Sequence, residues 1–156
     1  MKRTWMVAIM LLTIALDQYT KHIARLTLAM SLPRRYGILT LLYAENSGAF
    51  LSLGANLPEK TRSLIFSGVV AVALAVGMYA LMMNRIGGMA DSISVAFILG
   101  GGIGNLIDRI ARGGRVSDFL YVAIGPLHTG VFNVADIAIT GGVIWLLLSW
   151  LMAKKV

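Results

Sequence analysis

Six polar residues carry most of the chemistry open to this chain of 156 residues: Asp17, Asn105, Asp108, Asp118, Asn133 and Asp136. Asn105, Asp108 and Arg109 stand at i, i+3 and i+4, and Asn133 and Asp136 at i and i+3, so each set shares one face of a helix. Asp118, in Val116-Ser117-Asp118-Phe119, lies eighteen positions before Asp136, and only tertiary folding can unite them. Two carboxylates a few ångströms apart cannot both ionise comfortably, so they share one proton. Such a pair can hydrolyse a peptide with water alone. One carboxylate takes a proton from the attacking water, while the protonated partner hydrogen-bonds the scissile carbonyl and helps the amine leave.

Competing chemistries find less in the sequence. His22 and His128 are the only histidines, there is no HExxH, and there is no cysteine to act as nucleophile, disulfide partner or metal ligand. Neither Lys21 nor Lys60 has a serine at a spacing that suggests a Ser/Lys dyad. The glycines at 100–104 lack the following Lys-Ser/Thr of a phosphate loop and read better as small residues for close helix packing. No metal and no cofactor is expected. Structural roles stay open for several of these residues. Asp17 and Lys21, at i and i+4, could form an ion pair at a helix end, Asp108 and Arg109 a structural salt bridge, and Asn105 and Asn133 interhelical hydrogen bonds. Asp136 and Asp118 could instead be relay sites in a small proton-coupled transporter or channel subunit.

The elements that must position these residues belong to a membrane. Hydrophobic residues make up 58% of the chain and charged ones 13%, and the mean hydropathy is +0.79, which excludes a soluble enzyme. The net charge of +7 comes without a basic run interleaved with aromatics, so anionic lipid headgroups rather than nucleic acid are the expected counterpart. About 20 apolar residues cross a bilayer. Four such windows appear, at about 4–24, 63–83, 87–107 and 132–153. The first gives way to Leu16-Asp17-Gln18 rather than to a small-x-small cleavage site and reads as a retained anchor. The expected fold is therefore mainly α: four transmembrane helices in one membrane-embedded domain, 1–156. A small β-rich surface element lies between helices 1 and 2. Between helices 3 and 4 the glycines at 113, 114 and 125 and Pro126 predict a broken interfacial segment. All six polar residues then fall near one side of the membrane. Of the fourteen basic residues only Lys2, Arg3, Arg85, Lys154 and Lys155 lie on the side of the termini, a bias that by itself favours placing the termini outside.

Five blocks in order, Asp17-Gln18-Tyr19-Thr20-Lys21, Asn46-Ser47-Gly48-Ala49-Phe50, Gly101 to Arg109, Val116 to Phe119 and Phe132 to Asp136, resemble the signature blocks of lipoprotein signal peptidases (signal peptidase II) over nearly the whole chain. One departure is that the second block lacks the second small residue that the family commonly has before its Phe. The resemblance implies an aspartyl endopeptidase of the bacterial inner membrane that cleaves diacylglyceryl-modified prolipoproteins just before the lipidated cysteine. By block, it implies Asp118 and Asp136 as catalytic residues and Asn46, Asn105, Arg109 and Asn133 around the substrate. Asp17, Lys21, Gly48 and Asp108 take supporting positions. It also implies cytoplasmic termini and a site near the outer leaflet, against the charge count, in a protein that works as a monomer among membrane lipids. A noncatalytic relative that binds lipidated peptides is the remaining alternative.

Overall fold

The computed structural model describes residues 2–47 and 58–153. Gly48, Ala49 and Phe50 of the second block and the lysines at 154 and 155 lie outside the described residues. The elements follow in the order α1 (Lys2–Leu28), β1 (Arg34–Tyr36), β2 (Leu39–Asn46), α2 (Glu59–Met82), α3 (Met89–Ala111), β3 (Val116–Ile124), β4 (Leu127–His128) and α4 (Val134–Ala153). Three of the helices are long and apolar enough to cross a membrane, over Ser63–Met82, Met89–Ala111 and Val134–Ala153. Helix α1 has 27 residues, but Asp17, Lys21 and Arg25 make its second half less apolar.

The inward stripe of α1 explains why it nonetheless joins the bundle. Met6, Met10, Thr13, Asp17, Lys21, Ala24 and Leu28 are all buried and recur at intervals of three and four, one face of an α-helix. Trp5, Leu11, Leu12 and Leu16 point away and stay exposed.

Helix α3 packs against the other three helices, and its glycines make this possible. A Cβ at Gly100 would meet Thr13 of α1 at 2.8 Å, one at Gly101 the backbone oxygen of Ala135 in α4 at 2.5 Å, and one at Gly102 Leu74 of α2 at 2.5 Å. At Gly104 it would meet Asp17 at 2.5 Å. Small residues let backbones approach where no water drives association. Between α2 and α3, Asn84 takes a left-handed conformation with φ 51° and Arg85 N–H donates to Ala80 O at 2.9 Å, closing α2 and reversing the chain.

The four strands form one antiparallel sheet in the order β1-β2-β3-β4. Both outer hairpins turn through two residues led by a glycine of positive φ, Gly37 at 61° and Gly125 at 58°, as tight hairpins favour. This corrects the expectation for the segment between α3 and α4. Gly113-Gly114 does not break an interfacial stretch; it ends α3, with Gly114 N–H on Arg109 O at 2.7 Å. The chain then enters β3, nine residues rich in β-branched and aromatic types, which pairs with β2 inside the sheet. Phe119 packs on Ala24 and Leu28, seating the sheet on the end of α1. Phe132 returns to β3 through hydrogen bonds with Leu120, N–H to O at 2.8 Å each way.

Gly101→Ala is expected to lower the stability of detergent-solubilised protein by about 1–3 kcal/mol, since the Ala135 backbone cannot move aside cheaply. Gly68→Ala, where an added Cβ meets nothing within 4 Å, should stay within about 0.5 kcal/mol of wild type. Equal thermal unfolding of the two variants would contradict the packing described.

Candidate active site

Where α1 meets α3, an ammonium and two carboxylates are packed out of solvent. Lys21 and Asp17 are fully buried and 2.8 Å apart. Because α1 runs on to Leu28, this pair is not the helix-end ion pair that the spacing alone allowed; it faces the interior mid-helix. Lys21 Nζ also donates to Asn105 Oδ1 at 2.7 Å and lies 3.7 Å from Asp108 Oδ2. Asp108 takes the backbone N–H of Ser117 on Oδ2 at 2.8 Å and faces Arg25 and Arg112, each at 3.7 Å. Arg25 and Tyr43 reach the Ser117 hydroxyl at 3.3 Å. Asp108 thus pins the start of β3, and with it the residue that follows Ser117.

That residue is Asp118. The structure brings it to Asn133, whose Nδ2 donates to Asp118 Oδ1 at 2.6 Å and to Asn105 Oδ1 at 3.1 Å. Asn105 Nδ2 in turn donates to Asp136 Oδ1 at 2.9 Å. Asn133 and Asp136 do not share a helix face, as their spacing suggested; α4 begins one residue later and Asn133 is its N-cap. Asp136 N–H donates to Asn133 Oδ1 at 3.0 Å and Asn133 N–H to Asp136 Oδ2 at 3.1 Å, a reciprocal capping box. Asp17 adds a second cap from another helix, accepting Ala135 N–H on Oδ1 at 3.0 Å.

Asn46, at the end of β2, hydrogen-bonds the Asp118 carboxyl. Arg109 lies in the field of Asp108, Asp118 and Asp136. The residues singled out in the sequence and described here thus converge, while Arg25, Tyr43 and Ser117 were missed. Arg25 was detectable, because it sits one turn beyond Lys21 on the same stripe.

Asp118 is 2% exposed, and burial is the main cause that pushes its carboxyl up to about 6. The nearby Asp136 charge acts in the same direction, while hydrogen bonds from Asn133 and Asn46 and the Lys21 charge oppose it. Asp136, only half-buried, borders an apolar cleft of about 510 Å³ with Thr129, Phe132, Ile137 and Thr140. A second cleft of about 470 Å³, toward Phe97 and Trp145, shares Ile137 and Gly141 with it. Asp136 therefore lies where a polar interior meets an apolar outer surface.

The family model described as Signal peptidase (SPase) II matches residues 9–152. The chain belongs to this family. Signal peptidase II function follows, and the transporter reading is set aside. Similar proteins include the lipoprotein signal peptidases of Syntrophus aciditrophicus, 38% identical over 92% of this chain and 90% of the relative, and of Francisella tularensis subsp. mediasiatica, 41% identical over 93% and 90%. A bacterial membrane enzyme solved by the in meso method at 1.9 Å shares the fold with a TM-score of 0.81, at 24% identity over 95% of this chain and 93% of that one. In this signal peptidase II, then, all five sequence blocks contribute described residues to one polar cluster.

A carboxyl raised by burial destabilises the fold when ionised. Its penalty is absent below about pH 4, grows as pH rises through about 6, and is complete above that. Asp118→Asn, which keeps an oxygen for Asn133, should therefore be more stable than wild type by about 2 kcal/mol at pH 8, with the gap closing by pH 4. Thermal unfolding across that range checks it; a gap that widens toward acid would contradict the burial argument.

Proposed function

We propose that this signal peptidase II is an aspartic endopeptidase in which Asp118 and Asp136 act together on one water molecule. The observation that carries the reading is the Asn133 amide, bonded to Asp118 and also to Asn105, which holds Asp136. Two carboxyls from a strand and a helix are thereby held in one hydrogen-bonded unit. One carboxylate accepts a proton from water as the new O–C bond forms, and the other gives its proton to the peptide oxygen. On collapse of the gem-diol, the first acid protonates the departing nitrogen as the C–N bond breaks, and a hydroxyl proton returns to the second.

Asn46, Asn105, Asn133 and Arg109 position the peptide, so that binding energy is spent on alignment. Asp17, Lys21 and Asp108 hold the frame, and Gly48 belongs to the supporting set by its motif. The substrates are diacylglyceryl-modified prolipoproteins, cut just before the lipidated cysteine. The relatives' name supports the substrate class, and the apolar cleft beside Asp136 suits a lipid-bearing peptide that arrives sideways from the bilayer. All four helices span the bacterial inner membrane in a single monomeric domain, with both termini cytoplasmic and the site near the outer leaflet.

Asp118→Asn and Asp136→Asn should each reduce cleavage of a diacylglyceryl-modified prolipoprotein by roughly 10²–10⁴-fold, while the substrate still binds. Turnover near wild type in either variant would end the aspartic reading.

A further inference from the structure

We propose that the cavity between the start of α1 and the turn joining α2 to α3 is a lipid site: it takes the headgroup of an anionic phospholipid, with the phosphate on Arg3 and the headgroup hydroxyls on Ser92 and Asn84. The cavity measures about 520 Å³, and Arg3, Met6, Leu81, Asn84, Ile86 and Ser92 line it. Fourteen positions of α1 separate Arg3 from Asp17, and thirteen of α3 separate Ser92 from Asn105, so the site lies about 20 Å along the bundle from the carboxylates. The reaction makes no use of it. Its apolar wall is the end of the buried cluster that α1, α2 and α3 share, with Met6 and Leu81 in the cluster and Ile86 packed against it.

The polar lining selects the ligand. Arg3 is exposed and has no hydrogen-bond or ion-pair partner among the described residues, and no acid lines the cavity beside it. Its planar fork of donors suits a phosphate. Asp91 precedes Ser92 but is not part of the lining; its Oδ1 accepts the Trp145 indole N–H at 3.1 Å. The Ser92 hydroxyl already donates to Gly88 O at 3.1 Å, so its oxygen is left to accept, and the ligand must bring a donor. The Asn84 amide serves either role. An ammonium headgroup would bring donors too, but an arginine with no carboxylate nearby repels it. A phosphate that carries a glycerol-type headgroup meets all three residues. Free phosphate would leave the wall of Met6 and Leu81 uncovered, whereas the glycerol backbone and first methylenes of a lipid cover it. The location agrees, because α2 and α3 are long and apolar enough to cross a membrane, which sets the turn between them at headgroup level. Arg85 in that turn adds positive charge facing anionic lipid.

A lipid held there ties α1 to the turn between α2 and α3, so its binding is read as stability. The test is thermal unfolding of the full chain in a neutral detergent, titrated with dioleoyl-phosphatidylglycerol, with phosphatidylcholine of the same chains, or with inorganic phosphate. Saturating phosphatidylglycerol should raise the midpoint by about 5 °C, and the other two by less than about 1 °C. Arg3→Gln, at an exposed position outside the catalytic cluster, should unfold like wild type without lipid and keep its cleavage activity. Its affinity for phosphatidylglycerol should fall at least about tenfold, and that of Ser92→Ala about fivefold. Arg34→Gln, at an exposed position on β1, should bind as wild type does. An equal rise with phosphatidylcholine, undiminished binding by Arg3→Gln, or equal losses in Arg3→Gln and Arg34→Gln would overturn the site. A rise with inorganic phosphate as large as that with phosphatidylglycerol would overturn the lipid assignment and leave a site for free phosphate. Should Arg3→Gln fail to fold, Ser92→Ala decides, and wild-type affinity in that variant counts against the proposal.

Discussion

An ammonium without access to water must find all its acceptors inside the protein, and Lys21 is in that position. Removing a charge from solvent costs several kcal/mol even after relaxation, and only close, well-aligned partners offset it. Asp17 and Asn105 supply them at 2.8 and 2.7 Å. Those two residues are in turn committed elsewhere, Asp17 to the first turn of α4 and Asn105 to Asp136. One buried cation thereby couples α1, α3 and α4, and any shift between these helices strains several hydrogen bonds together.

The bundle is shaped to permit this. Helix α3 lies among the other three, and glycines at four of its positions remove the side chains that would keep the backbones apart. Gly104 serves both purposes, since the space left by its missing Cβ is where the Asp17 carboxylate sits. The sheet supplies the remaining arm. Asp108 holds the Ser117 backbone and Phe132 pairs with Leu120, so that Asp118 and Asn133 arrive at the same place from opposite directions along the chain.

Much of this was legible in the sequence because charge in an apolar segment is costly and rarely idle. Asp17, Asn105, Asp108, Asp118, Asn133 and Asp136 stood out on that ground, and the structure gathers them. What the pattern hid was backbone context. Asn133-x-x-Asp136 reads equally as a helix face and as a capping box; only the pairing of Phe132 with β3 shows that the helix starts at Val134. Residues 116–124 form a strand flanked by glycine turns, yet those same glycines read as breaks when the partner strand β2 is unknown. Arg25 went unnoticed because its acceptors, Asp108 and Ser117, are more than eighty residues away in sequence.

The ion pair at the heart of α1 also bears on how the protein is made. Asp17 and Lys21 leave the ribosome long before Asn105 or Ala135 exists, and the contact between Asp17 and Ala135 spans 118 positions. On the four-span reading, α1 must enter the bilayer while none of its later partners has been synthesised. Their spacing of one helical turn lets the two side chains neutralise each other within a lone helix. The nascent segment therefore presents lipid with a dipole instead of two bare charges, and holds that arrangement until α3 and α4 arrive to complete it.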